Sequence, residues 1–433
     1  MGIFFIFLFL SFLCFINLSV DFFFIISFCF LFLISLGFNL DLYIFSLNIL
    51  SWSLLILSVF IISLIFLRNL SFCIDKKEGM YFSFNLILIF VALFLVFSSS
   101  NILIFYIFFE FSIIPIFFLL CGWGFNFERF QARFYILIYT LFFSLPFLIF
   151  IFLIFYDEKS IRFYVSSFFY FSNFDVFFIF ISIFIFLVKL PSFFFHIWLP
   201  KAHVEAPVSG SIILAGLLLK LGAYGLLIYI PFIFYNSLLF SSYFFILGLW
   251  GGILASFICF RQVDLKKIVA FISVCHIGMV LSNIFTFYLI SLIGLIFILL
   301  SHGLSSSGIF YSLNCFYERI YSRRLILVKG GNIYILSIRL WFFLLICCNI
   351  SAPPTLNFIS ELIILFGVSL YNIFSLIMFS FIMFIGTVCS IHIYVSIFHG
   401  FFRSNHSFTS LNLKEHIILI FHCLPIFIIF LFF

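Results

Sequence analysis

The stretch that decides the fold runs from Leu187 to Gly225: LVKLPSFFFHIWLPKAHVEAPVSGSIILAGLLLKLGAYG. Lys189 and Pro191 interrupt one apolar segment, a polar knot follows (His196, Lys201, His203, Glu205), and Lys220 then stands deep inside the next apolar segment. On either side the chain is almost unbroken apolar sequence. Its residues are 67% hydrophobic and 8% charged. A soluble globular chain carries roughly 25% charged residues, so this one cannot cover a water-facing surface. Apolar runs of about 20 residues, the length that crosses a bilayer as a helix, recur from end to end. In lipid a helix satisfies its own backbone hydrogen bonds, and a β-barrel would show short alternating segments instead. The expected fold is an all-α polytopic membrane protein, and in that setting the two lysines need a reason.

The pattern predicts about 14 transmembrane helices. They fall near 3–19, 22–38, 42–67, 81–98, 101–121 and 134–156, then from 174, then 208–230, 238–259, 267–286, 288–314, 333–369, 371–399 and 416–433. Polar loops are expected over Arg68–Gly79 and Tyr317–Asn332. Cation placement supports this division. Of the 20 lysines and arginines, fifteen lie in loops after odd-numbered spans. Two, Lys159 and Arg162, follow an even-numbered span, and Lys189, Lys220 and Arg339 lie within spans. Such an asymmetry is the signature of one face held on the cation-retaining side, and a missed helix would scramble it. Both termini then belong on the opposite side, and Arg339, near the start of its span, is expected to snorkel toward the basic face.

The 81 Phe are read as a codon bias that lipid-facing positions tolerate rather than as a lining. No basic residue precedes Arg68, so neither a secretory leader nor a transit peptide is expected, and the chain is expected to insert through its own helices. The 11 Cys include no C-x-x-C pair and no metal spacing, so no metal site is expected.

Four charges remain near mid-membrane: Glu110, Lys189, Lys220 and Glu361. They could be buried ion pairs that fix helix packing, or a charge pathway. Within a membrane the second reading gains weight, because an isolated buried charge is costly. His276 and His302, each near mid-span, supply groups that both accept and donate a proton near neutral pH. Lysine at both deep positions also matters, since arginine is effectively always protonated. Lys201, His203 and Glu205 are read either as a proton entrance or as a clasp between spans seven and eight, with His196 beside them.

Proline breaks two spans. Span seven has Lys189-Leu190-Pro191, and span twelve has Asn349-Ile350-Ser351-Ala352-Pro353-Pro354 followed by Asn357 and Glu361. Proline removes a backbone donor, and freed carbonyls and half-helix ends are the usual polar lining of a transport site. The breaks lie an odd number of spans apart, so the segments cross in opposite senses. One transmembrane domain over 1–433 is expected: N-terminal helices over 1–80, a first five-helix repeat over 81–230, an inverted second over 238–399, and a last helix over 416–433.

The residues also carry a resemblance. The opening stretch, with FFEFSIIP (108–115), RQVDLKKIVAFISVCHIG (261–278), SHGLSSSGIFY (301–311), YERIYSRR (317–324) and SAPPTLNFISEL (351–362), closely resembles the antiporter-like membrane subunits of respiratory complex I. The matches cover roughly 105–365, and the termini match only as hydrophobic helices. The resemblance implies a proton-translocating subunit of NADH:ubiquinone reductase in the mitochondrial inner membrane. Basic loops would face the matrix and both termini the intermembrane space. It implies a relay of Glu110, Lys189, Lys220, His276, His302 and Glu361. It also implies that FMN, Fe–S clusters, NADH and ubiquinone are handled by partner subunits, including sister antiporter-like chains, with no cofactor here. A cation/proton antiporter subunit of the related multi-subunit type and a purely structural module are the rival readings.

Overall fold

The computed structural model describes residues 40–41, 46–75, 77–124, 128–158, 176–329, 336–400 and 410–431. The expected spans near 3–19 and 22–38 lie outside them. A short antiparallel pairing of β1 (Leu40–Asp41) with β2 (Ser46–Leu47) precedes the helices. Helices α1 (Ile49–Asp75), α2 (Lys77–Ser98), α3 (Ile102–Trp123, with one irregular residue at Ser112) and α4 (Arg129–Glu158) follow. Then come α5 (Val176–Lys189), α6 (Trp198–Glu205), α7 (Val208–Tyr229), α8 (Phe234–Cys259), α9 (Leu265–Ile284) and α10 (Leu289–Ile320). After a one-turn helix, Leu325–Val328, come α11 (Leu336–Asn349), α12 (Leu356–Tyr371), α13 (Ile373–Phe398) and α14 (Leu413–Leu431). Among the described residues ten helices are long and apolar enough to cross a membrane, and α5, α11 and α12 are shorter apolar helices.

The segment expected as a polar loop from Arg68 is different: α1 stays helical to Asp75 and α2 begins at Lys77. Residues 68–75 contain neither proline nor glycine, so nothing in the backbone stops the helix where the side chains turn polar. Lys266, expected in a loop, lies in the first turn of α9 and is buried.

Burial sorts the helices into centre and edge. The spanning stretches of α9 and α7 are 94% and 89% buried, those of α4 and α14 only 33% and 28%. Apolar attraction between helices is weak in lipid, so close backbone approach has to hold the bundle. Gly248 of α8 and Gly278 of α9 provide it: a Cβ on Gly278 would stand 2.6 Å from the Gly248 carbonyl oxygen. On the basic side, Arg68 pairs with Glu318 at 2.9 Å and Arg319 with Glu415 at 2.6 Å, joining α10 to α1 and α14. Arg339 donates to the Tyr394 hydroxyl at 3.2 Å.

Both proline-marked segments are interrupted, and their backbones solve the interruption alike. Pro191 has no N–H for Leu187, so Ser192 N–H reaches back to the Leu187 carbonyl at 3.1 Å. That leaves the Val188 carbonyl free, and the Trp198 indole N–H takes it at 2.9 Å. At the second interruption Ala352 N–H reaches the Cys347 carbonyl at 3.0 Å, and the Asn357 side-chain amide takes the Cys348 carbonyl at 2.6 Å. Ser351 there adopts a left-handed backbone, with φ 62°, uncommon for a residue with a Cβ.

Candidate functional site

Glu110 lies on α3 and Lys189 at the last turn of α5. Lys189 Nζ stands 3.9 Å from Glu110 Oε1, both side chains largely buried. The ammonium also donates to the Phe109 carbonyl and sits 3.0 Å from the centroid of the Phe109 ring. It is therefore held by a carboxylate, a carbonyl and a π face together. Ser144 of α4 stands beside Glu110 and Tyr106. Gly222 brings α7 onto the end of α5: a Cβ there would stand 2.6 Å from Leu190 N.

Lys220 belongs to a second cluster. A π-helical turn, Leu214–Leu218, widens α7 just before it, and such turns often mark functional sites. Lys220 Nζ donates to the Ala215 carbonyl at 2.5 Å and lies 3.4 Å from His302 Nδ1 of α10. The His302 ring is 5.1 Å from that of His276 on α9. Lys220, His276, His302 and Leu190 line a cavity of about 10 Å³, room for about one water. A second cavity of about 10 Å³ lies on the far side of His302, against Ser273, Ser306, Asn349 and Ser390. Asn349 ends α11, so this space leads toward the second interruption.

Glu361 is buried one turn beyond Asn357, with Ser351 beside it and Oε2 lacking a hydrogen-bond partner. The structure thus brings together Glu110 with Lys189, and Lys220 with His276 and His302. Among the described residues no hydrogen bond or ion pair joins Lys189 to Lys220, or either histidine to Glu361. The shared hydrogen-bond pattern matches Asn349, rather than Glu361, to the place of Lys189: each follows the carbonyl captured by a side chain. Sequence reading named Asn349 at the start of the second interruption but gave the ionisable role there to Glu361.

The polar knot after Pro191 is tied into the bundle. Lys201 Nζ sits 3.6 Å from the Tyr135 ring centroid. His196 bonds the Phe193 carbonyl and stacks on the Phe193 ring. His203 stacks on Phe310 at 4.6 Å with 5° between the rings, and neither ring nitrogen has a hydrogen-bond partner. Glu205 is buried near Lys266, which donates to the Ala206 carbonyl at 3.0 Å. Arg323 donates to the Val204 carbonyl at 2.7 Å.

Three comparisons bear on this arrangement. A family model described as NADH:quinone oxidoreductase/Mrp antiporter, transmembrane, matches residues 99–386. NADH-ubiquinone oxidoreductase chain 4 of Ceratitis capitata is 40% identical over 385 residues, covering 89% of this chain and 86% of that one. Among solved structures, a chain of respiratory complex I from Thermus thermophilus superposes with a TM-score of 0.85 at 19% identity, covering 94% of this chain and 90% of that one. A chain of the Mrp complex from a Dietzia species does so with a TM-score of 0.75 at 19% identity, covering 84% and 69%. At that identity these likenesses concern the fold.

Proposed function

Because the chain belongs to the NADH:quinone oxidoreductase/Mrp antiporter transmembrane family, we propose that it is a proton-translocating membrane-arm subunit of an NADH:ubiquinone oxidoreductase. It works among other membrane-arm subunits, including sister antiporter-like chains, in the mitochondrial inner membrane. Its basic loops face the matrix and its termini the intermembrane space. FMN, Fe–S clusters, NADH and ubiquinone belong to the partners. The chain forms one unit of about 14 spans, with repeats over 81–230 and 238–399 and with spans seven and twelve discontinuous. The shared hydrogen-bond solution at the two interruptions supports that symmetry.

The observation that carries the reading is the buried Lys189–Glu110 pair at 3.9 Å, set beside a Lys220–His302–His276 cluster. Drawing Glu110 away from Lys189 leaves an ammonium without its countercharge, which is strongly unfavourable in a dry interior. Passing a proton toward Lys220 removes the imbalance. From Lys220 the imidazoles of His302 and His276 take it on, each accepting on one nitrogen and donating from the other. Water in the space past Asn349 carries it to Glu361. The test is Glu110→Gln in the assembled complex, with proton pumping measured alongside NADH oxidation. Loss of pumping per electron is expected, and normal coupled pumping sinks the relay.

A second reading, a cation/proton antiporter subunit, is favoured by the family description and by the Mrp fold likeness. It predicts sodium-driven proton exchange in vesicles given no electron donor.

A further inference from the structure

A polar column stands on the side of α10 that faces away from His302. His302 and Ser306 share one side at helical spacing. Leu304, Ser307, Gly308 and Tyr311 share the other. His422 of α14 fits there, so close that a Cβ on Gly308 would lie 3.1 Å from the His422 Cβ. His422 is 0% exposed. Its Nδ1 lies 3.2 Å from Ser307 Oγ and its ring stacks on Tyr311, yet Nε2 has no hydrogen-bond partner. An imidazole buried with an open nitrogen is a costly packing piece, where an apolar side chain would serve better.

The column continues both ways. Toward the basic face, Arg68 sits 5.7 Å from the Tyr311 ring and pairs with Glu318, which also accepts from Asn314 at 2.5 Å. Toward mid-membrane, Cys423 lies beside Cys348 of α11, whose carbonyl Asn357 holds. Asn357 Oδ1, one turn before Glu361, and Thr355 Oγ1, at the start of α12, are buried there without partners.

We propose that His422 is a proton-carrying site, the middle of a second line that runs from the Arg68–Glu318 cluster past Tyr311 and Ser307 to Glu361, with the unpartnered Asn357 oxygen lining its last stretch as an acceptor rather than a carrier. The imidazole takes a proton on one ring nitrogen and releases one from the other, so a proton passes and the ring is left neutral in its other tautomer, which a ring rotation resets before the next proton. The line feeds the second interruption directly, without passing Lys189 or Lys220. It rests on Glu361 being a relay member.

The test is His422→Gln in the assembled complex in sealed inner-membrane vesicles. Glutamine keeps an amide against Ser307 but cannot carry a proton. Proton uptake from the basic side per NADH oxidised is expected to fall severalfold at normal assembly, and wild-type uptake overturns the proposal. If the variant does not assemble, Ser307→Ala reads the same quantity, with slower uptake expected and unchanged uptake again overturning it. Glu361→Gln separates the two readings. If it stops pumping while His422→Gln leaves uptake intact, the line fails alone. If it pumps normally, the relay fails and takes the line with it.

Discussion

Lys220 and His302 meet at 3.4 Å across the interface of α7 and α10. Lys220→Met removes the charge-assisted contact while keeping the stem. Methionine leaves no titratable group at this position, so proton transfer through the cluster is expected to stop or to fall by at least about tenfold. Pumping measured in vesicles against the rate of NADH oxidation checks it, and an unchanged ratio at an unchanged rate contradicts the assignment.

Gly222 is where α7 touches the end of α5. Gly222→Ala puts a Cβ 2.6 Å from Leu190 N, so either α7 or the Lys189 segment must move. Overpacking of this kind costs about 1–3 kcal/mol. Lower thermal stability together with reduced pumping is expected. Gly122→Ala, where a Cβ meets nothing within 4 Å, is the control and should change neither.

The side chains that take a carbonyl at the two interruptions should both matter, Trp198 more than Asn357. Trp198→Phe strands the Val188 carbonyl, whereas Asn357→Leu leaves the Cys348 carbonyl only the longer Ser351 N–H contact at 3.4 Å. Leaving a buried acceptor unmet costs about 1–3 kcal/mol. Amide hydrogen exchange should speed locally, over 187–192 in the first variant and 347–352 in the second. Uniform exchange across the chain would argue against separate local roles.

The two basic-face ion pairs should differ sharply. Arg319 and Glu415 have side chains only 6% and 12% exposed, so removing Arg319 leaves the Glu415 carboxylate without its countercharge, held only by the Asn412 N–H. Arg319→Ala is expected to destabilise by about 3–5 kcal/mol, with a matching fall in assembled complex. Arg68 and Glu318 are 20% and 49% exposed, and Arg68→Ala should cost about 1 kcal/mol or less in thermal unfolding. Equal losses would show that exposure does not set these energies.

Much of the fold is legible in one dimension because lipid imposes a length and proline imposes a stop. The runs that became α2, α7, α9 and α13 could be read off hydrophobicity, and the interruptions off Pro191 and Pro353-Pro354. Cation placement gave the sidedness expected of the loops. The extension of α1 to Asp75 was not legible, since polar residues serve a helix end as well as a loop. Nor was the partition of the ionisable groups. Nothing in sequence order tells Lys220 to meet His302 across a helix interface while Glu361 stays apart. Trp198 and Asn357 look like ordinary residues near a break until the freed carbonyls are located. His422 was legible by the reasoning applied to His276 and His302, an imidazole deep in an apolar run, but it sits outside the broken segments that held attention.

The burial of α9 along nearly its whole length has a consequence for biogenesis. A helix enclosed by neighbours on every side cannot dock last without the bundle reopening around it. Gly278 seats it against Gly248, and Lys266 hooks its start to the Ala206 carbonyl. The order of arrival during insertion is thereby constrained. Helices α7, α8 and α9 have to pair before the largely exposed outer helices such as α13 and α14 close over them.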